Sequence, residues 1–191
     1  MVDAMAKHET QAANDDLVVR APADAEALGR LYELYYEPVF RFCVHRLFDK
    51  QVAEDLTGTV FLEMARSIRS FQGRTEADFC NWIYAIAVNQ TNAYVRKTSR
   101  RRKLFARAAA LTAASQKNNQ TGREELDWPS LYAAILKLKP EHQTIVTLRF
   151  FENLSYEEIA RIIDTAAATL RVTVHRILRE LRKHLQSDSD E

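Results

Sequence analysis

Residues 155–185 read SYEEIARIIDTAAATLRVTVHRILRELRKHL, and their reading decides the architecture. Ser155 with Glu158 three positions later has the form of a capping box, in which hydroxyl and carboxylate satisfy each other's backbone N–H groups and open a helix. Ile159, Ile162 and Ile163 then recur at helical spacing, and Leu170, Val174, Ile177, Leu178, Leu181 and Leu185 form a second apolar stripe. Two readings fit. A break near Asp164-Thr165 makes a helix-turn-helix, whose second helix places Arg171, Thr173, His175, Arg176 and Arg179 off the apolar stripe, where arginine can read guanine edges in a major groove. Ala166-Ala167-Ala168 and the lack of a glycine at the break fit equally well a single long helix packed on a partner.

Outward from this stretch the helical period persists, and no sustained alternation of period two occurs. Before it, Leu131, Ile135 and Leu138 mark one short helix, Pro140 suits the first position of the next, and Asn153-Leu154 makes a turn. Far upstream, Leu28, Leu31, Tyr35, Val39, Phe42 and Leu47 define a helix from Ala25 to Phe48, with Pro38 expected to kink or divide it. Val52, Leu56, Val60, Met64 and Ile68 form an i,i+4 stripe opposite Glu54, Asp55, Glu63 and Arg66. Thr75 and Asp78 make another capping-box pattern, opening a helix with Phe79, Trp82, Ile83, Ile86 and Ala87.

The expected fold is therefore all-α: two small helical domains, residues 25–103 and 128–186, joined by a flexible linker over 104–127 whose polar half runs from Ser115 to Gly122. The alanine-rich start of that linker is able to prolong the preceding helix. Residues 1–24 are expected to be an acidic, disordered segment, and 187–191 an acidic tail.

Composition narrows the function. With 47% apolar residues the chain folds, yet no apolar run approaches the roughly 18 residues of a membrane span, and the N-terminus lacks a signal-peptide pattern, so a soluble, cytoplasmic protein with no membrane insertion is expected. Cys43 and Cys80 have neither disulfide-framework nor metal-ligand spacing. The four glycines form no phosphate-binding loop, and the five histidines show no ligand motif. Neither a metal, a cofactor nor an enzymatic activity is expected.

Net charge is only +1, but it is unevenly spread. Residues 1–26 carry six acids against two bases, whereas 96–107 carry Arg96, Lys97, Arg100, Arg101, Arg102, Lys103 and Arg107 with no acid. Phe71, Trp82, Tyr84, Tyr94, Asn89, Gln90 and Asn92 lie close to that cluster, and aromatic faces beside amides and cations suit unstacked bases, at about 1–3 kcal/mol per stacked base. Trp82 and Ile83 fit the core equally well, and Phe71, in a loop, is the freer candidate.

Two blocks in order carry a resemblance over residues 25–186. The first runs through Ala53-Glu54-Asp55-Leu56-Thr57, Val60-Phe61-Leu62, Phe71-Gln72-Gly73 and Phe79 to Asn89. The second runs through Leu138-Lys139-Pro140-Glu141-His142-Gln143, Leu148-Arg149-Phe150, Leu154 to Ala160 and His175-Arg176. Together they resemble the extracytoplasmic-function sigma factors, the small initiation factors of bacterial RNA polymerase. The resemblance implies that Asp55, Leu56, Val60, Phe61 and Glu63 dock on core RNA polymerase. It implies that Phe71, Arg74, Trp82, Asn89, Asn92, Arg96, Lys97, Arg100 and Arg101 open the promoter's −10 element and capture a single-stranded base. Thr169, Arg171, Val172, Thr173, His175, Arg176 and Arg179 fall where the −35 element is read as duplex promoter DNA. An anti-sigma factor is a further implied partner.

The chain departs from the family pattern at Asp164 and Ala168, where glycine is usual, at Val172, where a small hydroxyl residue is common, and at Gly58, where glutamine is common. These departures raise the expectation of altered or weakened −35 recognition. The alternative function is a stand-alone helix-turn-helix regulator that binds a palindromic operator without polymerase.

Overall fold

The computed structural model describes the backbone of residues 2–109 and 128–187, with side chains over 11–98 and 130–186, and among these residues there is no strand. The chain opens with α1 (Val2–Arg20) where a disordered segment is expected. The reason is tertiary. Val18 and Ala21 are buried in the core, and the Glu76 N–H donates to Asp15 Oδ1 at 2.6 Å, so this carboxylate caps the start of a helix far along the chain.

α2 (Ala25–Leu47) begins where the Asp24 carboxylate accepts the N–H groups of Glu26 and Ala27. It passes through Pro38 as one helix, neither divided nor ended there. Proline removes one backbone hydrogen bond, but Leu31 and Tyr35 before it and Val39 and Phe42 after it are buried on one face and hold both halves to the core. Asp49 caps α3 (Lys50–Ser67), whose buried face is Ala53, Thr57, Val60, Phe61 and Met64, and a 3-10 turn over Ile68–Ser70 ends it.

α4 (Glu76–Ala109) starts with the expected reciprocal cap: the Asp78 N–H donates to Thr75 Oγ1 and the Thr75 N–H to Asp78 Oδ2, both at 3.1 Å. Hydrogen bonds from the Arg74 N–H, and then from Thr75, hold the Asp78 carboxyl below its ordinary range. Phe79, Ile83 and Ala87 bury its inner face, and the helix continues into the alanine-rich segment. The rest of the expected linker, 110–127, and residues 188–191 of the expected tail lie outside the described residues.

The second group comprises α5 (Trp128–Lys137), α6 (Pro140–Val146), a single π turn (Thr147–Phe151), α7 (Tyr156–Ile162) and α8 (Ala167–Ser187). Pro140 opens α6, and Asn153, at φ 55°, turns the chain after the π turn. Ala134, Ile135, Leu148, Ile159, Leu170, Val174 and Ile177 form its interior. The two groups meet: α6 and α7 pack on α4, and the π turn packs on α2.

Candidate nucleic-acid interface

The segment from Ser155 resolves as a helix-turn-helix. Ser155 Oγ accepts the Glu158 N–H at 3.2 Å while the Ser155 N–H donates to Glu158 Oε2 at 2.7 Å. The Ser155 hydroxyl also donates to Glu158 Oε2 at 2.6 Å, and this bond first, then the one from the Ser155 N–H, pulls the Glu158 carboxyl below its ordinary range. α7 then ends in a Schellman-type turn, with Asp164 left-handed at φ 50° and the Thr165 N–H donating back to Ala160 O at 2.9 Å. Asp supplies the conformation usually left to glycine, and this local bond excludes the single long helix.

α8 buries Leu170, Val174, Ile177 and Leu181, so the residues between them face outward. Thr169, Arg171, His175, Arg176 and Arg179 are exposed, and Val172 is 60% exposed despite being apolar. Arg171 Nη2 donates to Glu157 Oε1 at 2.6 Å, and its guanidinium lies 5.5 Å from the Tyr156 ring centroid, so its fork is held against the preceding helix. Thr173 is half-buried and its hydroxyl donates to Thr169 O at 2.9 Å.

The aromatic site on α4 is built differently. Phe71 is not free in its loop: it stacks on Trp82 with centroids 4.6 Å apart, and both rings contact Phe79. Gly73 makes room for this, since a Cβ there would stand 2.3 Å from Phe71 Cζ. Trp82, Asn89 and Arg96 follow at seven-residue intervals, which places them on one stripe of α4, with Arg100 four residues on. Arg74, Asn89, Arg96 and Lys97 are exposed and Trp82 is half-buried, while Arg100 and Arg101 continue along the same helix. Asn92 differs, because its Oδ1 accepts from Arg46 Nη2 and Thr144 Oγ1, both at 3.1 Å, and is engaged within the protein.

On α3, Asp55 is exposed and Leu56 and Glu63 are half-buried, whereas Val60 and Phe61 belong to the core. These two shape the helix from below and offer no free surface here. Leu62, 51% exposed, shares the Asp55 face seven residues away, and Tyr32, against the Phe61 ring at 4.8 Å, is exposed beside it. Sequence reading missed both; the signal for Leu62 was an apolar residue falling off the buried stripe. The Cys43 and Cys80 thiols are pushed up to about 11 by burial, which keeps them protonated.

A family profile described as Sigma-70 region 2 matches residues 31–101, and one described as Sigma-70, region 4 matches residues 129–181. The extracytoplasmic-function (ECF) RNA polymerase sigma factor BldN of Streptomyces coelicolor is 35% identical over 193 residues, covering 95% of this chain and 72% of that protein. The ECF RNA polymerase sigma-E factor of Escherichia coli is 28% identical over 170 residues, covering 84% of this chain and 87% of that one. Among solved structures, CnrH bound to the cytosolic domain of CnrY superposes with a TM-score of 0.65 at 16% identity, covering 92% of this chain and 99% of that one. The sigma factor RpoE of Bartonella quintana, bound to the anti-sigma factor NepR, superposes at 0.59 and 19% identity, covering 84% and 97%. No helix among the described residues is long and apolar enough to cross a membrane.

Proposed function

Because this chain belongs to the extracytoplasmic-function sigma factors, we propose that it binds core RNA polymerase, opens the −10 element of its promoters on α4 and reads their −35 element with α8. Members of this family are transcription initiation factors rather than enzymes, and the bond-making chemistry belongs to the polymerase. What supports the reading is that one chain carries two unlike surfaces: an outward helix-turn-helix face, and a stacked Phe71–Trp82 pair in line with Asn89, Arg96 and Arg100.

Each surface suits its substrate. α8 presents Arg171, Arg176 and Arg179 to base edges and phosphates, and Val172 offers an apolar contact to a thymine methyl. The Asp164 turn is well formed, so an altered −35 preference rests on Val172 and Ala168 and not on a malformed motif. On α4, opening a duplex means stabilising unpaired bases by stacking and their phosphates by cations, which Trp82 and the basic stripe supply. Asp55, Leu56, Glu63 and the exposed Leu62 form the polymerase-docking face of α3, with Val60 and Phe61 supporting it from the core. An anti-sigma factor is a further partner of this chain, in keeping with the RpoE structure that holds one.

The test is co-elution with bacterial core RNA polymerase, with an Asp55→Arg plus Leu62→Ala variant beside the wild type. Stable co-elution that the variant loses supports the reading. A folded wild type that does not co-elute, yet binds a palindromic operator alone, replaces it with the stand-alone regulator.

A further inference from the structure

The loop that carries Phe71 and Arg74 is held from two directions. Within α4, Phe71 stacks on Trp82 at 4.6 Å, and the Arg74 and Thr75 N–H groups both donate to Asp78 Oδ2 at 3.1 Å. The second hold comes from α1. Asp15 Oδ1 accepts the Glu76 N–H at 2.6 Å, and Asn14 Nδ2 donates to Glu76 Oε1 at 2.9 Å. The Tyr35 hydroxyl of α2 stands 3.5 Å from the same Glu76 oxygen, and Gln11 Nε2 donates to Asp15 Oδ1 at 3.3 Å.

The core places α1 for this role. Asn14 and Asp15 lie four and three residues before Val18, on the same face of the helix, and Val18 is 1% exposed. Burying Val18 therefore brings the two polar side chains to the start of α4. That start is already capped by the reciprocal bonds of Thr75 and Asp78, so a further carboxylate, reaching across 61 residues, does more than begin a helix. It fixes where the loop stands relative to α1 and α2. Charge is arranged to match: the Glu76 and Asp78 carboxylates are engaged by protein donors, and Arg74 is the exposed cation of the loop.

We infer that Asn14 and Asp15 are positioning residues for promoter opening, holding the loop from Phe71 to Glu76 in the shape that receives an unpaired base. The inference rests on the proposed function and extends it to α1, which precedes the residues matched by the Sigma-70 region 2 profile. A loop ordered beforehand loses little backbone freedom when a base enters it, so more of the stacking gain is left to oppose re-pairing of the duplex. A loop released at Glu76 must order itself and capture the base in one step.

The test compares Asp15→Ala, which removes the acceptor, with Asp15→Asn, which keeps one. Asp24→Ala is the control, since it strips a cap of the same kind from α2, away from the loop. Amide hydrogen exchange of the free chain should run about fivefold faster over the loop and Glu76 in Asp15→Ala, the size of one lost helix cap, and stay near wild type in Asp15→Asn and Asp24→Ala. With core polymerase, Asp15→Ala should slow open-complex formation on a duplex promoter by about fivefold. Co-elution with the core enzyme, and transcription from a template whose −10 element is already unpaired, should stay within about twofold of wild type. A merely structural role would lower both templates alike. Should Asp15→Ala fail to fold in circular dichroism melts, Asn14→Ala makes the same comparison by releasing the Glu76 carboxylate. Unchanged loop exchange in the folded variant overturns the positioning. Faster exchange with unchanged opening, or an equal loss on both templates, overturns the role in opening. A wild type that gives no chain-dependent transcription contradicts the proposed function itself and this role with it, while exchange still decides whether α1 holds the loop.

Discussion

Arg46 and Arg176 are the same residue type under opposite conditions. Arg46 is enclosed between the two helical groups with four acceptors drawn from both, and burial lowers its pKa to about 10. Arg176 stands exposed on the outer face of α8. A guanidinium removed from water must be given acceptors by the fold, whereas one left in water keeps its five donors for a phosphate or a guanine edge. Where the two helical groups meet the chain recognises itself, and under the proposed function the outer faces of α8 and α4 are left to meet DNA.

The comparison fails first if Arg46 contributes nothing to the fold. Arg46→Ala strips donors from Gln143, Thr144 and Pro140 together and should cost the free chain about 3 kcal/mol in urea unfolding, because bonds to a charged group are the strong ones. Arg176→Ala should do the reverse. Its melting curve stays that of the wild type, while holoenzyme affinity for a cognate promoter falls by about 1–3 kcal/mol, read by filter binding at fixed salt.

Smaller changes probe the local structure beneath each surface. Ser155→Ala removes the cap of α7 and should cost about 1 kcal/mol in thermal unfolding. It should also let the Glu158 carboxyl titrate higher, followed by NMR. The sign follows from linkage: a carboxyl depressed in the folded state contributes stability above its unfolded pKa and loses it as pH falls through the folded one, so the variant should lose less stability on acidification. Gly58→Ala is the smallest effect and has the opposite sign. Nothing lies within 4 Å of a Cβ at this exposed helical position, so the substitution should stabilise by about 0.5–1 kcal/mol, visible as a raised Tm.

What was legible in the sequence was whatever local chemistry dictates. Both capping boxes, the α8 stripe and the break at Asp164 rest on residues within a few positions of one another, and they appear in the structure as read. α1 was missed because its hold on the fold is distant: Val18 and Ala21 make no long stripe, and Asp15 caps a helix 61 residues away. The contact between the two groups was missed for the same reason, since Arg41 and Glu152 meet across 111 residues and no periodicity records it. Within the candidate sites, Val60 and Phe61 lie beside the exposed Leu62 in sequence, yet a turn of about 100° per residue sends them to the core. Phe71 read as a free loop residue because the close approach that seats it on Trp82 depends on Gly73, whose lack of a side chain leaves no mark in a pattern of apolar residues.

The central claim is that the outer faces of α4 and α8 read promoter DNA for a polymerase, and transcription by purified core enzyme from a promoter library tests it most directly. The expected result is initiation that depends on the added chain, is confined to a promoter class, and is lost in Trp82→Ala at the opening step while polymerase binding persists. Sequence-specific operator binding without polymerase, together with no chain-dependent initiation, would contradict it.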